Sequence, residues 1–138
     1  MFDQPDGWRA TKPNERALLM HLLRGDFQGK AEILQQMASL QVMSIDQKGS
    51  LKLSTDGPLA DVKDNDAPSP RANDFIPVEG FYDDGTSDGW SPIRMARLVR
   101  LALHVTNGRI SELEIYKEDG SPFIMDPYEV DLKKVHFY

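Results

Sequence analysis

RLVRLALHVTNGRISELEIYKEDG, residues 97–120, decides the fold. Apolar and polar residues alternate on both sides of Asn107-Gly108, the period of half-buried strands around a tight turn. Two registers compete. A two-residue turn on Asn107-Gly108 sets Leu103 against Glu112 and Leu101 against Glu114, which mixes the faces. A three-residue loop, Thr106-Asn107-Gly108, sets Leu101 against Leu113, Val99 against Ile115, Leu98 against Tyr116 and Arg100 against Glu114. The second matches apolar with apolar and adds an opposite-charge pair worth roughly 0.2–1 kcal/mol, so it is the register expected. Glu118-Asp119-Gly120 repeats the turn grammar and predicts a third strand. It pairs Lys117 with Ser121, Ile115 with Phe123 and Leu113 with Met125, giving the apolar rows Val99–Ile115–Phe123 and Leu101–Leu113–Met125. Pro122 has no N–H to donate, which places that strand on or near an edge.

The same reasoning extends upstream. VMSIDQKGSLKLS, 42–54, reads as a hairpin with Gln47-Lys48-Gly49 as its loop and Gly49 in the left-handed position. Asp46 then faces Ser50, Ile45 faces Leu51, Ser44 faces Lys52 and Met43 faces Leu53. DFIPVEGFY predicts another strand over 75–82, and the tail VDLKKVHFY either adds a last strand or packs Val135 and Phe137 onto the domain. Two helices are expected before the first hairpin. In TKPNERALLMHLLRG, Thr11 is the expected N-cap, Leu18, Leu19, Leu22 and Leu23 form a stripe at helical spacing, and Gly25 is the stop. In GKAEILQQMASL, Ile33, Leu34, Met37 and Ala38 share a face. Trp8 precedes the first helix and is expected to staple it to the sheet. The predicted architecture is α+β: two N-terminal helices packed on one face of a mostly antiparallel sheet of about five strands.

Composition bounds the rest. The chain has 138 residues, 40% hydrophobic and 28% charged, enough for one cored domain spanning 1–138. A long, exposed polar loop is expected at about 55–74, TDGPLADVKDNDAPSPRAND. There is no cysteine, hence no disulfide and no thiolate site. No apolar run reaches the ~20 residues that span a bilayer, and the N-terminal residues lack a signal pattern. These features predict a soluble, cytoplasmic protein.

The net charge is −6, and its placement is uneven. Residues 55–90 hold nine acids (Asp56, Asp61, Asp64, Asp66, Asp74, Glu79, Asp83, Asp84 and Asp88) against Lys63 and Arg71, while the rest of the chain is almost balanced. Such a field repels phosphate backbones and attracts basic surfaces. Nucleic acid and membranes are therefore poor partners, and a protein with a basic surface is a good one.

Motifs of catalysis are missing from the sequence. There is no GxGxxG, no GxxxxGK[ST] and no nucleophile elbow, and His21, His104 and His136 have no metal-ligand spacing. FYDDGTSDGW, 81–90, carries an EF-hand-like start with Asp84, Thr86, Asp88 and Gly89 at positions one, three, five and six. Position twelve, which requires a bidentate glutamate, is Met95. A hydrated loop between strands is the favoured reading, with no metal, no cofactor and no catalytic residue assigned. Trp90 either caps the core beneath this loop or anchors a partner, an aromatic residue rimmed by carboxylates being a common hot-spot design.

NERALLMHLLRG, VMSIDQKGSLKLS and above all LHVTNGRISELEIYKEDGSPF resemble an uncharacterised group of small bacterial proteins that share a late "dGrl-eLEiyreDGspi" signature. The resemblance covers most of residues 14–125 and implies an α+β fold without a known activity. In style, though not in motif, such small acidic domains are similar to immunity proteins, which neutralise a cognate toxin. The functional expectation is a non-enzymatic binding domain. Its most concrete form is an immunity-type inhibitor that meets a basic toxin through Asp64, Asp66, Asp83, Asp84, Asp88 and Trp90. Two alternatives stand beside it: a structural or adaptor domain using the sheet face or edge, and a metal-binding protein or enzyme using the acids of 83–88.

Overall fold

The computed structural model describes residues 7–65, 69, 71–85 and 97–137. Its elements in chain order are β1 (Arg9–Ala10), α1 (Pro13–Leu22), α2 (Lys30–Gln36), β2 (Gln41–Ser44), β3 (Leu51–Ser54), β4 (Asp74–Tyr82), β5 (Val99–Thr106), β6 (Arg109–Tyr116) and β7 (His136–Phe137). The strands form one antiparallel sheet in the order β1-β2-β3-β6-β5-β4-β7. The α+β class stands, but the expectation of about five strands opened by two N-terminal helices is corrected. The described residues contain seven strands, and β1 precedes both helices. β1 and β7 are two-residue edges that exist only by pairing with a longer neighbour, and of the two only β1 has no counterpart in the expected elements.

Helix α1 buries Leu18, Leu19, Leu22 and Leu23, as its spacing predicts. Its N-cap is Lys12, not Thr11, and the Lys12 N–H donates to Glu15 Oε1 at 2.8 Å. Glu15 also receives Arg9 from β1 in a two-pronged pair at 2.7 and 2.8 Å. Arg9, then, ties the entry strand to the helix, while Trp8 is half-buried before it. Helix α2 buries Ile33 and, in the 3-10 turn that follows, Met37, but Leu34 and Ala38 face out and Gln36 is buried instead. These side chains pack with Val42, Leu51, Leu53, Leu101, Leu103, Leu113 and Ile115 in one core on the helix side of the sheet.

Both predicted hairpins form, each in a register other than the one expected. In β2–β3, Val42 faces Leu53, Met43 faces Lys52 and Ser44 faces Leu51, a slip of one residue. The Asp46 carboxylate explains it by accepting the N–H groups of Lys48 (2.9 Å) and Ser50 (3.2 Å). That holds a four-residue loop closed by Ile45 N–H to Ser50 O at 3.0 Å. Val42 rather than Met43 enters the core, and Ile45 is left 46% exposed.

In β5–β6 the turn is the two-residue one. Asn107 and Gly108 both have positive φ, 51° and 84°, the requirement of a type I′ turn. Thr106 faces Arg109 and Val105 faces Ile110, then a bulge intervenes and His104 faces Glu112. One extra residue, Ser111, restores the matching of faces: Leu103 meets Leu113 and Leu101 meets Ile115. The expected pairs Leu101–Leu113, Val99–Ile115 and Arg100–Glu114 do not form, because a bulge reconciles the favoured turn with a sorted core.

The third predicted strand, 121–125, is absent from the sheet. Its place beside β6 is taken by β3, through Leu51–Leu113 and Lys52–Glu112. The buried Ser50 prolongs that contact: its hydroxyl donates to Ile115 O (3.2 Å) and accepts from Ile115 N–H (2.9 Å). Strand β4 lies where predicted, and the tail supplies both expected outcomes, β7 on β4 and a buried Val135. The 55–74 loop is not simply exposed. Ala60 and Val62 are buried, and Ala60 N–H donates to Gly108 O at 2.9 Å. Gln36 locks the loop to the hairpin turn, donating to Pro58 O and Gly108 O at 2.8 Å each and accepting from Ile110 N–H at 3.0 Å.

Candidate functional site

Of the six residues singled out in the sequence, the three that are described, Asp64, Asp83 and Asp84, do not meet at one place. Asp66, Asp88 and Trp90 lie outside the described residues, as do Thr86, Gly89 and Met95 of the EF-hand-like pattern. Asp64 is half-buried at the start of β4, where its Oδ1 accepts Ile76 N–H at 2.9 Å and Ser69 N–H at 3.4 Å. Asp83 and Asp84 follow the other end of that strand, roughly 20 Å away at the usual strand rise. Asp83 is exposed and its Oδ1 accepts Gly85 N–H at 2.9 Å.

Asp84 has a different role from the one expected. Its side chain and that of Lys117 are fully buried, and Oδ2 lies 2.9 Å from Nζ. The same oxygen accepts Ile124 N–H at 2.8 Å, while Nζ donates to Pro122 O at 3.0 Å and sits over the Phe123 ring. The pair clamps 122–124 against the end of the sheet, the work a third ladder was expected to do. A carboxylate consumed in this way adds little field at the surface.

Two arrangements emerge that the sequence did not announce. One is an acidic end of the sheet. The β2–β3 loop, the end of β4 and the turn after β6 lie side by side because their strands are neighbours or near neighbours. The 125–128 segment crosses the same end, held by Tyr82 Oη donating to Met125 O at 3.0 Å and by Tyr128 Oη donating to Gly49 O. Asp46, Asp83, Glu118, Asp119 and Asp126 are all exposed there. Arg97 reaches Asp119 (3.6 Å) and Arg100 reaches Glu118 (3.1 Å). These residues come from four separate turns, so no single window of sequence shows them together.

The other is a charged network on the sheet face opposite α1 and α2. Leu101 and Leu103 point to the core, and strand alternation therefore turns His104 to the far face beside Glu112 and Glu114. His104 is only 2% exposed. Its Nδ1 lies 2.7 Å from Asp74 Oδ2, and its Nε2 lies 2.9 Å from Glu114 Oε1. Asp74 is in turn held by the hydroxyls of Ser69 and Thr106, the latter donating to Oδ1 at 2.8 Å. Arg71 closes the group, with Nη2 2.9 Å from the His104 ring and Nη1 3.4 Å from Glu112. Burial alone pulls the His104 pKa down, but the bonds to Glu114 and Asp74 outweigh it and the pKa is raised. Burial likewise pushes Asp74 up, yet the donors Ser69, His104 and Thr106 hold its pKa below the usual value. Glu114 is lowered, chiefly by its bond to His104.

The signal for this network was present in HVTNGRISELE, once the bulge at Ser111 is allowed: it brings His104 opposite Glu112 rather than leaving it an isolated histidine. By contrast, His21 serves packing, with Nε2 3.2 Å from Val135 O and its ring stacked on Phe137. No helix among the described residues is long and apolar enough to cross a membrane. No family model matches the chain, and comparison with curated proteins and with solved structures gives no match.

Proposed function

We propose that the chain is a non-enzymatic binding domain that docks a protein with a basic surface, in the manner of an immunity-type inhibitor of a bacterial toxin. The observation that carries this reading is the acidic end of the sheet, where Asp46, Asp83, Glu118, Asp119 and Asp126 are gathered from four turns on a rigid scaffold. Negative potential fixed in this way speeds encounter with a basic cleft and selects against acidic partners. In this reading the protein works in a bacterial cytoplasm, alongside the proteins whose late signature it resembles, and Asp64 and Asp84 serve the fold.

The test is co-purification from the native host at low and high salt. A partner held at low salt is expected to be lost when Asp83, Glu118 and Asp126 are changed to lysine. It should be kept when Asp56 and Asp61, at the opposite end, are changed in the same way. Equal retention by both variants, each shown to be folded, rejects the acidic end as the docking surface.

An adaptor reading has one observation in its favour. Phe81, Arg100 and Tyr116 form a continuous cross-strand row on the sheet face opposite α1 and α2, and aromatic residues and arginine dominate binding hot spots. Loss of the partner on Tyr116→Ala, with the lysine variants unaffected, selects that face instead.

A further inference from the structure

We propose that His104, Glu112 and Glu114 form a binding site for a first-row divalent cation of the zinc class, with Asp74 as the residue that orients the histidine. One ligand atom from each of the three lies within 4.8 Å of the others. The spacing comes from the ladder. His104 and Glu112 are directly opposed on β5 and β6, and Glu114 is the next residue of β6 on the same face. Zinc bonds of about 2.0–2.2 Å to nitrogen and oxygen place neighbouring ligand atoms roughly 3–3.5 Å apart. The 2.9 Å between His104 Nε2 and Glu114 Oε1 is already close to that value.

The surroundings fit the same chemistry. Ligating histidines commonly donate their second ring N–H to a carboxylate, which fixes the tautomer and raises ligand basicity. Asp74 stands 2.7 Å from Nδ1, its side chain 2% exposed, and is steadied by Thr106 and Ser69. With Nδ1 committed to Asp74, Nε2 is the nitrogen turned toward the two glutamates. The glutamates are 22% and 42% exposed in their side chains, so one side of the site opens to water for entry and for the remaining ligands.

Charge points the same way. Asp74, Glu112 and Glu114 bring three negative charges and Arg71 one positive charge, so a dication on a neutral imidazole balances the group. Imidazole with carboxylates favours zinc, cobalt or manganese over calcium and magnesium, which take all-oxygen sites. Arg71, 54% exposed in its side chain, spans Glu112 and the His104 ring and competes with the metal for the same carboxylate.

The proposal is independent of the acidic end and is tested without any partner. The full-length protein is titrated with Zn2+ alone by calorimetry, and with Co2+ by its visible spectrum, after treatment with a chelator. One site is expected, and it should raise the melting temperature by linkage. Glu112→Gln and Glu114→Gln are each expected to weaken Zn2+ by 10-fold or more, whereas Arg71→Ala should tighten it. Asp74→Asn, which keeps the three ligands, should weaken binding about 10–100-fold, as removal of an orienting partner does. His136→Ala serves as the control and should leave binding unchanged. The proposal is overturned if neither the wild type nor the folded Arg71→Ala variant binds at about 1 mM metal, a concentration at which even a weak site shifts melting. It is equally overturned if binding survives intact in the folded Glu112→Gln/Glu114→Gln double variant.

Discussion

Strand β4 begins at one buried carboxylate, Asp74, and is followed two residues beyond its end by another, Asp84. Each is paired with a buried basic side chain, Lys117 for Asp84 and His104 for Asp74, yet the two settings differ. Asp84 and Lys117 are shut away from solvent, and both also bond the backbone of 122–124. Asp74 and His104 are just as buried, but their network runs outward through Glu114 and Arg71 to water. A sealed pair can only hold structure together, because any change of protonation or partner strands a charge in the interior. An open network can exchange a proton or a cation at its wet side while its dry side stays fixed. Burial by itself therefore does not tell a structural carboxylate from a working one; the path to solvent does.

The sharpest way to break this comparison is to unpair the sealed site. Lys117→Met is expected to cost about 3–5 kcal/mol, the usual consequence of removing one partner of a buried ion pair. Asp84→Leu combined with Lys117→Met should recover much of it. Urea unfolding measures both, and a single-variant loss below about 1 kcal/mol contradicts the sealed description.

Asp74→Asn is expected to cost less, about 1.5–3 kcal/mol, the range of hydrogen bonds to charged groups. His104 keeps Glu114, and Arg71 keeps water, so no charge is stranded. A loss equal to that of Lys117→Met erases the distinction between the two sites.

The pH dependence of metal-free protein sharpens the contrast further. The His104 pKa is raised above its ordinary 6.5, so its stabilisation is fully present below about pH 6.5 and is lost as pH rises through the raised value. Asp74 is lowered from 3.8, so its stabilisation is present above about pH 4 and is lost as pH falls through the lowered value. Together they place the network's maximum between about pH 4 and 6.5. Asp74→Asn is expected to flatten the alkaline decline, measured as unfolding free energy from pH 5 to 9. An unchanged slope in that variant shows that His104 titrates without regard to Asp74.

The smallest effect is expected from Glu114→Gln. Its side chain is 42% exposed, so the loss should stay below about 1 kcal/mol and shrink further in salt, which screens exposed charges and leaves buried ones little changed. Lys117→Met should show no such salt dependence.

Much of the scaffold was readable along the chain. The leucines of α1, strand β4 and the existence of both hairpins follow from periodicity and from Asn107-Gly108 and Gly49. The errors have a common origin. Asp46 used its carboxylate to shift the first hairpin by one residue, and Ser111 used a bulge to shift the second. Gln36, a polar residue between Ile33 and Met37, is the buried link between α2, the 57–60 loop and the hairpin turn. The density of acids in one window of sequence does not fix the surface they form, which depends on which turns share an end of the sheet. Asp64 lies apart from Asp83 and Asp84 because β4 separates them.

The amino-acid sequence by itself determined the class of fold, the apolar faces and the turn positions, because periodicity and glycine conformation act over a few residues. Tertiary structure decided the strand count, both registers, the burial of Asp84 on Lys117 and the meeting of Asp74, His104 and Glu114. Each of those depends on which strands become neighbours, and that choice is made by the whole core at once rather than by any local stretch of chain.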